Sequence, residues 1–411
     1  MSLKLRWTNP SELDVVAHVR MLAYAAGRDQ LPRFVRDIHD DPRTGSSAHV
    51  IAERDGEPVG VATSLPLTMW VRGGAVPCQG VASVGTARTA RRRTGSGPGV
   101  GSAVMQEVLR HARQRGDVVS ALMPFRVSFY ENFGYGVVEQ KKEWIIPLDL
   151  IPRGEFDAIR YYRDEDFDEL VKCRQRIAQA NQCDIERSAE LWKWYISDTQ
   201  GFFLVDRAGD GPVRGWMTIE QPPTSADGID TLRARWDFGY QDIASLRRFI
   251  YFLGSLRDQY RFALVHLPTD FPLNLLLKEK QLTHRINKNH PNATERQYTR
   301  MQVRVLDHKR FLEAMKLAND AARGKAVVAV SEEAGPAKFE LDVAEGRIAV
   351  KPTTAEPDVE CSARDWATIA CGEVRASLAA ELGMLNVNRG AALSILDVLG
   401  EGPRPYCREY F

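Results

Sequence analysis

The sequence predicts an α+β protein: two similar units, then a third α+β domain with a different pattern. Three observations predict it. Between Val84 and Tyr135 the chain runs strand, Arg/Gly loop, helix, strand and aromatic turn. A hairpin that precedes this stretch recurs about 150 residues later, again followed by strand, helix and strand but without the Arg/Gly loop. The last third begins with a new strand and hairpin and shows no concentration of catalytic residue types.

The first hairpin is read at 50–62, where two β-rich runs flank the Asp55-Gly56 turn. Residues 80–86 read as a strand, and Gly85 within them predicts a bulge at its end. The loop that follows, Arg91-Arg92-Arg93-Thr94-Gly95-Ser96-Gly97-Pro98-Gly99-Val100-Gly101, sets three arginines against four glycines just before a helical pattern at 103–109. Glycines let the backbone approach a ligand, a helix start offers unpaired N–H donors, and arginines add charge-assisted bonds to phosphate. Pro98 suits a first-turn position, where its missing N–H costs nothing. These features predict a pyrophosphate cradle. No Gly-Lys-Ser/Thr closes the loop, which excludes a P-loop, and arginines stand where a Rossmann strand would be apolar. A buried-type strand is expected at 118–123.

The second unit repeats the hairpin at 203–217, a strand at 232–238, a helix from Ile243 to Tyr260 and a strand at 262–267. Without an Arg/Gly loop its helix start is not expected to hold pyrophosphate. Pro147, Pro152 and Gly154 mark one boundary, and the strand restart at Met301 marks another, giving domains 1–150, 151–298 and 299–411. In the last of these, a hairpin around Glu345-Gly346 and helices near 362–371 and 373–382 suggest packing or assembly.

Composition is that of an ordinary globular chain: 411 residues, 44% hydrophobic, 27% charged and a net charge of +1. Near-neutral charge gives no general attraction to nucleic acid or acidic membrane. No apolar run approaches the ~20 residues of a membrane span. The N-terminus lacks a hydrophobic signal core, and six scattered cysteines without a CxxC pair point to reduced thiols in the cytoplasm and no structural zinc. No metal site is expected.

The stretch from Val81 to Tyr135 resembles the acetyl-CoA-binding core of the GNAT acetyltransferases. Arg92-x-x-Gly95-x-Gly97 fits that family's Gln/Arg-x-x-Gly-x-Gly/Ala motif, and Phe129-Tyr130-Glu131-Asn132-Phe133-Gly134-Tyr135 fits its aromatic turn. Over nearly the whole chain the layout is similar to the enhanced-intracellular-survival (Eis) branch, with its aromatic C-terminal residue, here Phe411. The resemblance implies tandem GNAT folds, each a mixed, mostly antiparallel sheet flanked by helices, then a sterol-carrier-protein-like domain whose end reaches the active site. Arg88 stands where the family usually has proline, and Thr94 where it usually has glycine. Two registers of the loop stay open: Gly95-Ser96-Gly97 fits the arginines, whereas Gly99-Val100-Gly101 fits the helix.

The resemblance further implies acetyl-CoA as co-substrate. Val84, Gly85 and Thr86 would hold its pantetheine arm, with Arg92, Arg93, Thr94, Gly95, Ser96, Gly97, Gly99 and Gly101 around the pyrophosphate and Phe125 and Arg126 beside it. Tyr130 is the candidate general acid, since a phenol of pKa near ~10 stays protonated at neutral pH and can donate to a leaving thiolate. No His/Glu pair in the first domain offers a base. An aromatic tail is expected to be tucked in, and the resemblance makes the α-carboxylate of Phe411 the base, or an anchor for the substrate ammonium. A terminal strand closing the last sheet is the alternative for that tail. The implied acceptor is a small cationic amine, aminoglycoside- or polyamine-like, for which Asp37, Asp40 and Asp41 are candidate pocket carboxylates, and the implied assembly is a homo-oligomer, commonly a hexamer. The alternatives are a protein-lysine acetyltransferase, or a non-catalytic module that binds lipid or protein under coenzyme A control.

Overall fold

A computed structural model describes residues 3–25, 27–91, 99–199, 201–220, 231–280 and 292–411. The chain divides into two compact units. One comprises residues 1–138, 301–402 and 410–411; the other comprises 139–300 and 403–409.

In the first unit the order is β1 (Leu3–Trp7), α1 (Leu13–Tyr24), α2 (Leu31–His39), β2 (Ala48–Arg54), β3 (Glu57–Val71), β4 (Gly74–Thr86), α3 (Val100–Arg115), β5 (Val119–Leu122) and α4 (Val127–Glu131). Asp55 and Gly56 turn the β2–β3 hairpin with φ of +55° and +87°, the mirror-image turn that matches strand twist. Strands β1 to β4 pair antiparallel in sequence order, and β5 joins β4 in parallel. The apolar stripe of α3, including Val100, Val104, Met105 and Val108, packs on Val50, Ala52, Ala62 and Val81 of the sheet. Gly116, with φ +81°, ends the helix in the left-handed conformation that glycine adopts without strain.

Two more strands, β6 (Gly136–Pro147) and β7 (Ile159–Tyr161), lead into the second unit. Its further elements are α5 (Phe167–Ala180), β8 (Gln182–Ile185), α6 (Ala189–Ser197), β9 (Gly201–Asp206), β10 (Gly215–Glu220), β11 (Thr231–Ala234), β12 (Gly239–Tyr240), α7 (Ile243–Ser255) and β13 (Phe262–Pro268). The expected strand at 232–238 is thus two short pieces separated by a turn at 235–238, and the helix ends at Ser255. The sheet order β10-β11-β13, with β11 and β13 parallel, repeats β3-β4-β5. A core of Met217, Leu232, Phe249, Leu253 and Val265 fills this unit.

Strand β14 (Thr294–Val305) returns the chain to the first unit, where Gln302–Val305 pairs antiparallel with β5. There follow α8 (His308–Ala314), β15 (Gly324–Ser331), β16 (Ala337–Ala344), β17 (Arg347–Pro352), β18 (Val359–Ser362), α9 (Ala363–Ala370), α10 (Ala376–Glu381), β19 (Asn386–Val387) and α11 (Ala391–Asp397). Their sheet runs β17-β16-β15-β18-β19, with Glu345 and Gly346 turning the β16–β17 hairpin. Residues 403–411 form no strand of that sheet, so the terminal-strand alternative is corrected. The tail is fixed by side chains instead. Arg187 bonds Glu409 at 2.7 Å, Asp237 at 2.9 Å and the Arg408 carbonyl at 2.7 Å, and the fully buried Lys141 Nζ donates to the Cys407 carbonyl at 2.6 Å.

Candidate active site

Strand β4 carries the first part of the site. Its pairing with β5 runs only from Cys78–Val119 to Val81–Leu122; β5 then ends, and the β4 edge from Ala82 to Thr86 has no β5 partner. That leaves backbone groups at Val84, Gly85 and Thr86 on a splayed edge where an extended amide-bearing chain can add to the sheet. The opposite edge stays in register with β3 except at one point: Val61 faces Gly85 and Thr63 faces Ala82, so Ala62 alone opposes Ser83 and Val84. The bulge therefore sits at Ser83–Val84, with Ser83 at φ +53°, and not at Gly85. Gly85 has a different reason to be glycine. A Cβ there would lie 2.8 Å from Ala23 Cβ and 3.3 Å from the Tyr24 ring, so the close approach of α1 requires its absence.

The cradle follows. The α3 N-cap is Gly99, which has no side chain to occupy the first-turn donors. These N–H groups and the positive dipole end are available to an anion. The helix starts at Val100. Arg92, Arg93, Thr94, Gly95, Ser96, Gly97 and Pro98 lie outside the described residues. A Cβ on Gly101 would lie 3.5 Å from the Phe129 ring and 3.6 Å from the Thr86 hydroxyl. The first turn of α3, the end of β4 and the aromatic turn thus converge. The second unit contrasts at the same place: the α7 N-cap is Asp242, whose carboxylate accepts the Ser245 N–H at 2.8 Å and contacts Arg214. The Asp242 side chain thus occupies a first-turn donor that Gly99 leaves open in α3.

Tyr130 is 3% exposed in the aromatic turn, edge-on to Phe125 at 5.6 Å, to Phe129 at 5.0 Å and to Tyr135 at 6.2 Å. Burial first, then the phenols of Tyr24 and Tyr135, raises its pKa above the ordinary value. The hydroxyl is therefore a protonated donor throughout the neutral range. Phe125 is 72% exposed, and Arg126 is the N-cap of α4. Phe411 is buried at 8% exposure, and a Cβ on Gly80 would lie 3.0 Å from its ring. The C-terminal residue thus rests against the same strand that carries Val84–Thr86. The Tyr410 carbonyl accepts a bond from Arg43 at 2.9 Å.

Several residues around this strand were missed in the sequence. Tyr24 is 48% exposed, but its hydroxyl turns inward and donates to the Val84 carbonyl at 2.5 Å; loss of solvent there pushes its pKa up to about 12. Arg88, the departure from the expected proline, donates to the Tyr24 carbonyl at 3.2 Å and to that of Ala25, holding the end of α1. Arg20 donates to Thr63 at 2.7 Å, and burial lowers it to about 10. His49 sits 3.0 Å from the same Thr63 hydroxyl; burial, then Arg20, depresses it to about 4, so its ring is neutral at pH 7. Of the three aspartates, Asp41 and Asp37 both act electrostatically on Arg20. Asp41 is engaged by the Arg43 guanidinium at 2.8 and 2.9 Å, Asp37 pairs with Arg33 at 3.7 Å, and Asp40 is exposed. No sequence signal brings these side chains together, because α1, β2 and the C-terminal dipeptide meet only in the folded unit. Among the described residues no group of His, Cys, Asp and Glu could hold a metal ion, and no helix is long and apolar enough to cross a membrane.

Comparison with known proteins agrees with this geometry. Residues 4–138 match the acetyltransferase (GNAT) domain, and residues 308–408 match the sterol carrier protein domain. The chain is similar to an uncharacterized N-acetyltransferase of Streptomyces avermitilis, 24% identical with 87% of each chain covered. One of Streptomyces griseus is 26% identical with the same coverage. Among solved structures, a GCN5-related N-acetyltransferase from Anabaena variabilis superposes with a TM-score of 0.83 at 20% identity, over 99% of this chain and 100% of that one. Residues 4–138 thus carry a GNAT acetyltransferase domain, of a class that uses acetyl-CoA, in a chain whose relatives are N-acetyltransferases. Its layout is Eis-like: Eis1 from Mycobacterium abscessus superposes with a TM-score of 0.78 at 18% identity, over 99% of this chain and 100% of that one.

Proposed function

We propose that this chain is an acetyl-CoA-dependent N-acetyltransferase acting on a primary amine of a small molecule. The convergence of the splayed β4 edge, the uncapped start of α3 and Tyr130 supports this most strongly. Residues 99–101 would hold pyrophosphate together with 92–97, the edge Val84–Thr86 would bind the pantetheine amides, and Phe125 and Arg126 would border them. Bound there, acetyl-CoA supplies the activated acyl group. Backbone N–H groups of the edge polarise the carbonyl. The Phe411 α-carboxylate takes the amine proton as the new C–N bond forms, and Tyr130 gives its proton to the sulfur as the C–S bond breaks. The three-domain division at 150/151 and 298/299, and assembly into a homo-oligomer such as a hexamer, are part of the same reading.

For the acceptor, aminoglycoside- and polyamine-like cations are the first class to assay. Arg20 favours a second class. Its Nε is buried without a partner, and it lies one helical turn from Tyr24, whose hydroxyl meets Val84. A guanidinium so placed suits an amine that also bears a carboxylate, as an amino acid does. Coenzyme A thiol release, measured across polyamines, aminoglycosides and amino acids, tests the reading. Saturable turnover with one class supports it. No turnover with any amine, despite acetyl-CoA binding, contradicts it and favours the binding-module alternative.

A further inference from the structure

A cavity lies in the first unit, lined by none of the β4-edge residues. Its volume is about 410 Å³, within the size range of small-molecule sites. The end of α3 contributes Arg113 and Gly116 to its wall, and the β14–α8 junction contributes Leu306 through Arg310. The β16–β17 hairpin supplies Lys338, Phe339, Val350 and Pro352.

The apolar floor is firm. Phe339 and Val350 are 5% and 3% exposed, and Phe339 is stacked on His308 at 5.1 Å and packed edge-on to Trp366 at 5.7 Å. His308 is itself held by Glu332 at 3.4 Å. The rim is charged, and unevenly so. Its two carboxylates are already engaged: Asp117 bonds Arg115 at 2.8 Å, and Asp307 accepts the Arg310 N–H at 3.0 Å. The cations are much freer. Arg113 has only the exposed Glu333 at 3.8 Å, Lys309 has Glu313 at 4.0 Å, and Lys338 has no ion-pair partner among the described residues. Arg310 uses one nitrogen on the Gly116 carbonyl at 2.9 Å.

A cavity with an aromatic and aliphatic floor and under-neutralised cations at its mouth selects for charge as well as shape. We infer that this cavity is a binding site for a small amphiphilic anion, with an apolar body on Phe339 and Val350 and a carboxylate or phosphate head among Lys338, Lys309 and Arg113. The site is separate from the acetyl-transfer machinery and does not depend on the identity of the acceptor.

The probes are 4-phenylbutyrate, the neutral 4-phenylbutanol and 4-phenylbutyl-trimethylammonium, whose nitrogen cannot accept an acetyl group. They are titrated calorimetrically into the full chain, with inorganic phosphate as a head-group control. The expected result is one saturable site per chain for 4-phenylbutyrate, at least tenfold tighter than for the other three. Lys309→Glu/Lys338→Glu should weaken 4-phenylbutyrate about tenfold or more and make the trimethylammonium compound the better ligand. Pro352→Trp, at the exposed end of β17, should obstruct the mouth and weaken 4-phenylbutyrate without changing the order of charge preference. Acetyl transfer by either variant reports an intact fold. Absence of a saturable site, equal affinity for the three phenylbutyl compounds, phosphate binding as tightly as 4-phenylbutyrate, or an affinity for 4-phenylbutyrate indifferent to both variants each overturns the proposal.

Discussion

Replacing Tyr130 with phenylalanine removes one oxygen and nothing else, and the surroundings of that oxygen set the expected size of the effect. Among the described residues the phenol has no hydrogen-bond partner, so no structural bond is lost. The ring contacts to Phe125, Phe129 and Tyr135, between 5.0 and 6.2 Å, are all kept. Stability should therefore change by less than about 1 kcal/mol, the scale of a single net hydrogen bond. The rate should respond far more. A positioned general acid contributes roughly 100- to 10,000-fold, or about 3–5 kcal/mol of barrier. The assay is coenzyme A thiol release under saturating acetyl-CoA, with acetyl-CoA affinity by calorimetry and a thermal melt on the same preparation. The account expects kcat to fall about 100-fold or more with Tm and acetyl-CoA affinity nearly unchanged. A kcat within twofold of the parent, or a loss confined to KM, would remove Tyr130 from the acid role.

Two further perturbations address parts of the structure outside the aromatic turn. Arg187→Met leaves Asp237 and Glu409 buried without their shared cation and should cost about 3–5 kcal/mol in denaturant unfolding; unchanged stability would mean that this network does not hold the tail. His49 is depressed from 6.5 to about 4. Below pH 6.5 the unfolded chain takes up its proton before the folded one does, so stability present above pH 6.5 is lost as pH falls towards 4. From this shift the loss at pH 5 is about 2 kcal/mol. His49→Gln should flatten that loss between pH 7 and 5, and an identical pH profile would contradict the assignment.

Local chemistry made some features legible in the sequence. Asp55-Gly56 and Glu345-Gly346 are hairpin turns because both positions need positive φ, and the α3 stripe shows helical spacing. The strand-helix-strand order of both units follows from such signals, and so does the helix that opens at the glycine-rich loop. Other features depended on long-range packing. Gly85 looked like a bulge, but its missing Cβ makes room for Ala23 and Tyr24, while the bulge fell on Ser83, whose type gives no warning. Arg408, Glu409, Lys141 and Glu139 are all buried, and no local pattern announces it, because Arg408 and Glu409 meet Asp184 and Arg187, and Lys141 and Glu139 meet Cys407, across more than 200 residues of chain. Arg20, Tyr24 and His49 carry no motif at all; only the packing of α1 and β2 gathers them. The loop at 92–98 was the most informative stretch to read and lies outside the described residues.

The central mechanistic claim is that acetyl transfer uses the α-carboxylate of Phe411, whose ring is buried against Gly80 on β4. Extending the chain by Gly-Ser-Gly after Phe411 converts that carboxylate into an amide and moves the charge away. Single-turnover rates of acetyl transfer, measured with the parent and the extended chain at equal acetyl-CoA occupancy, test the claim most directly. The account predicts a rate reduced about 100-fold or more in a chain that still melts normally and binds acetyl-CoA. An extended chain that transfers acetyl at the parental rate would contradict it.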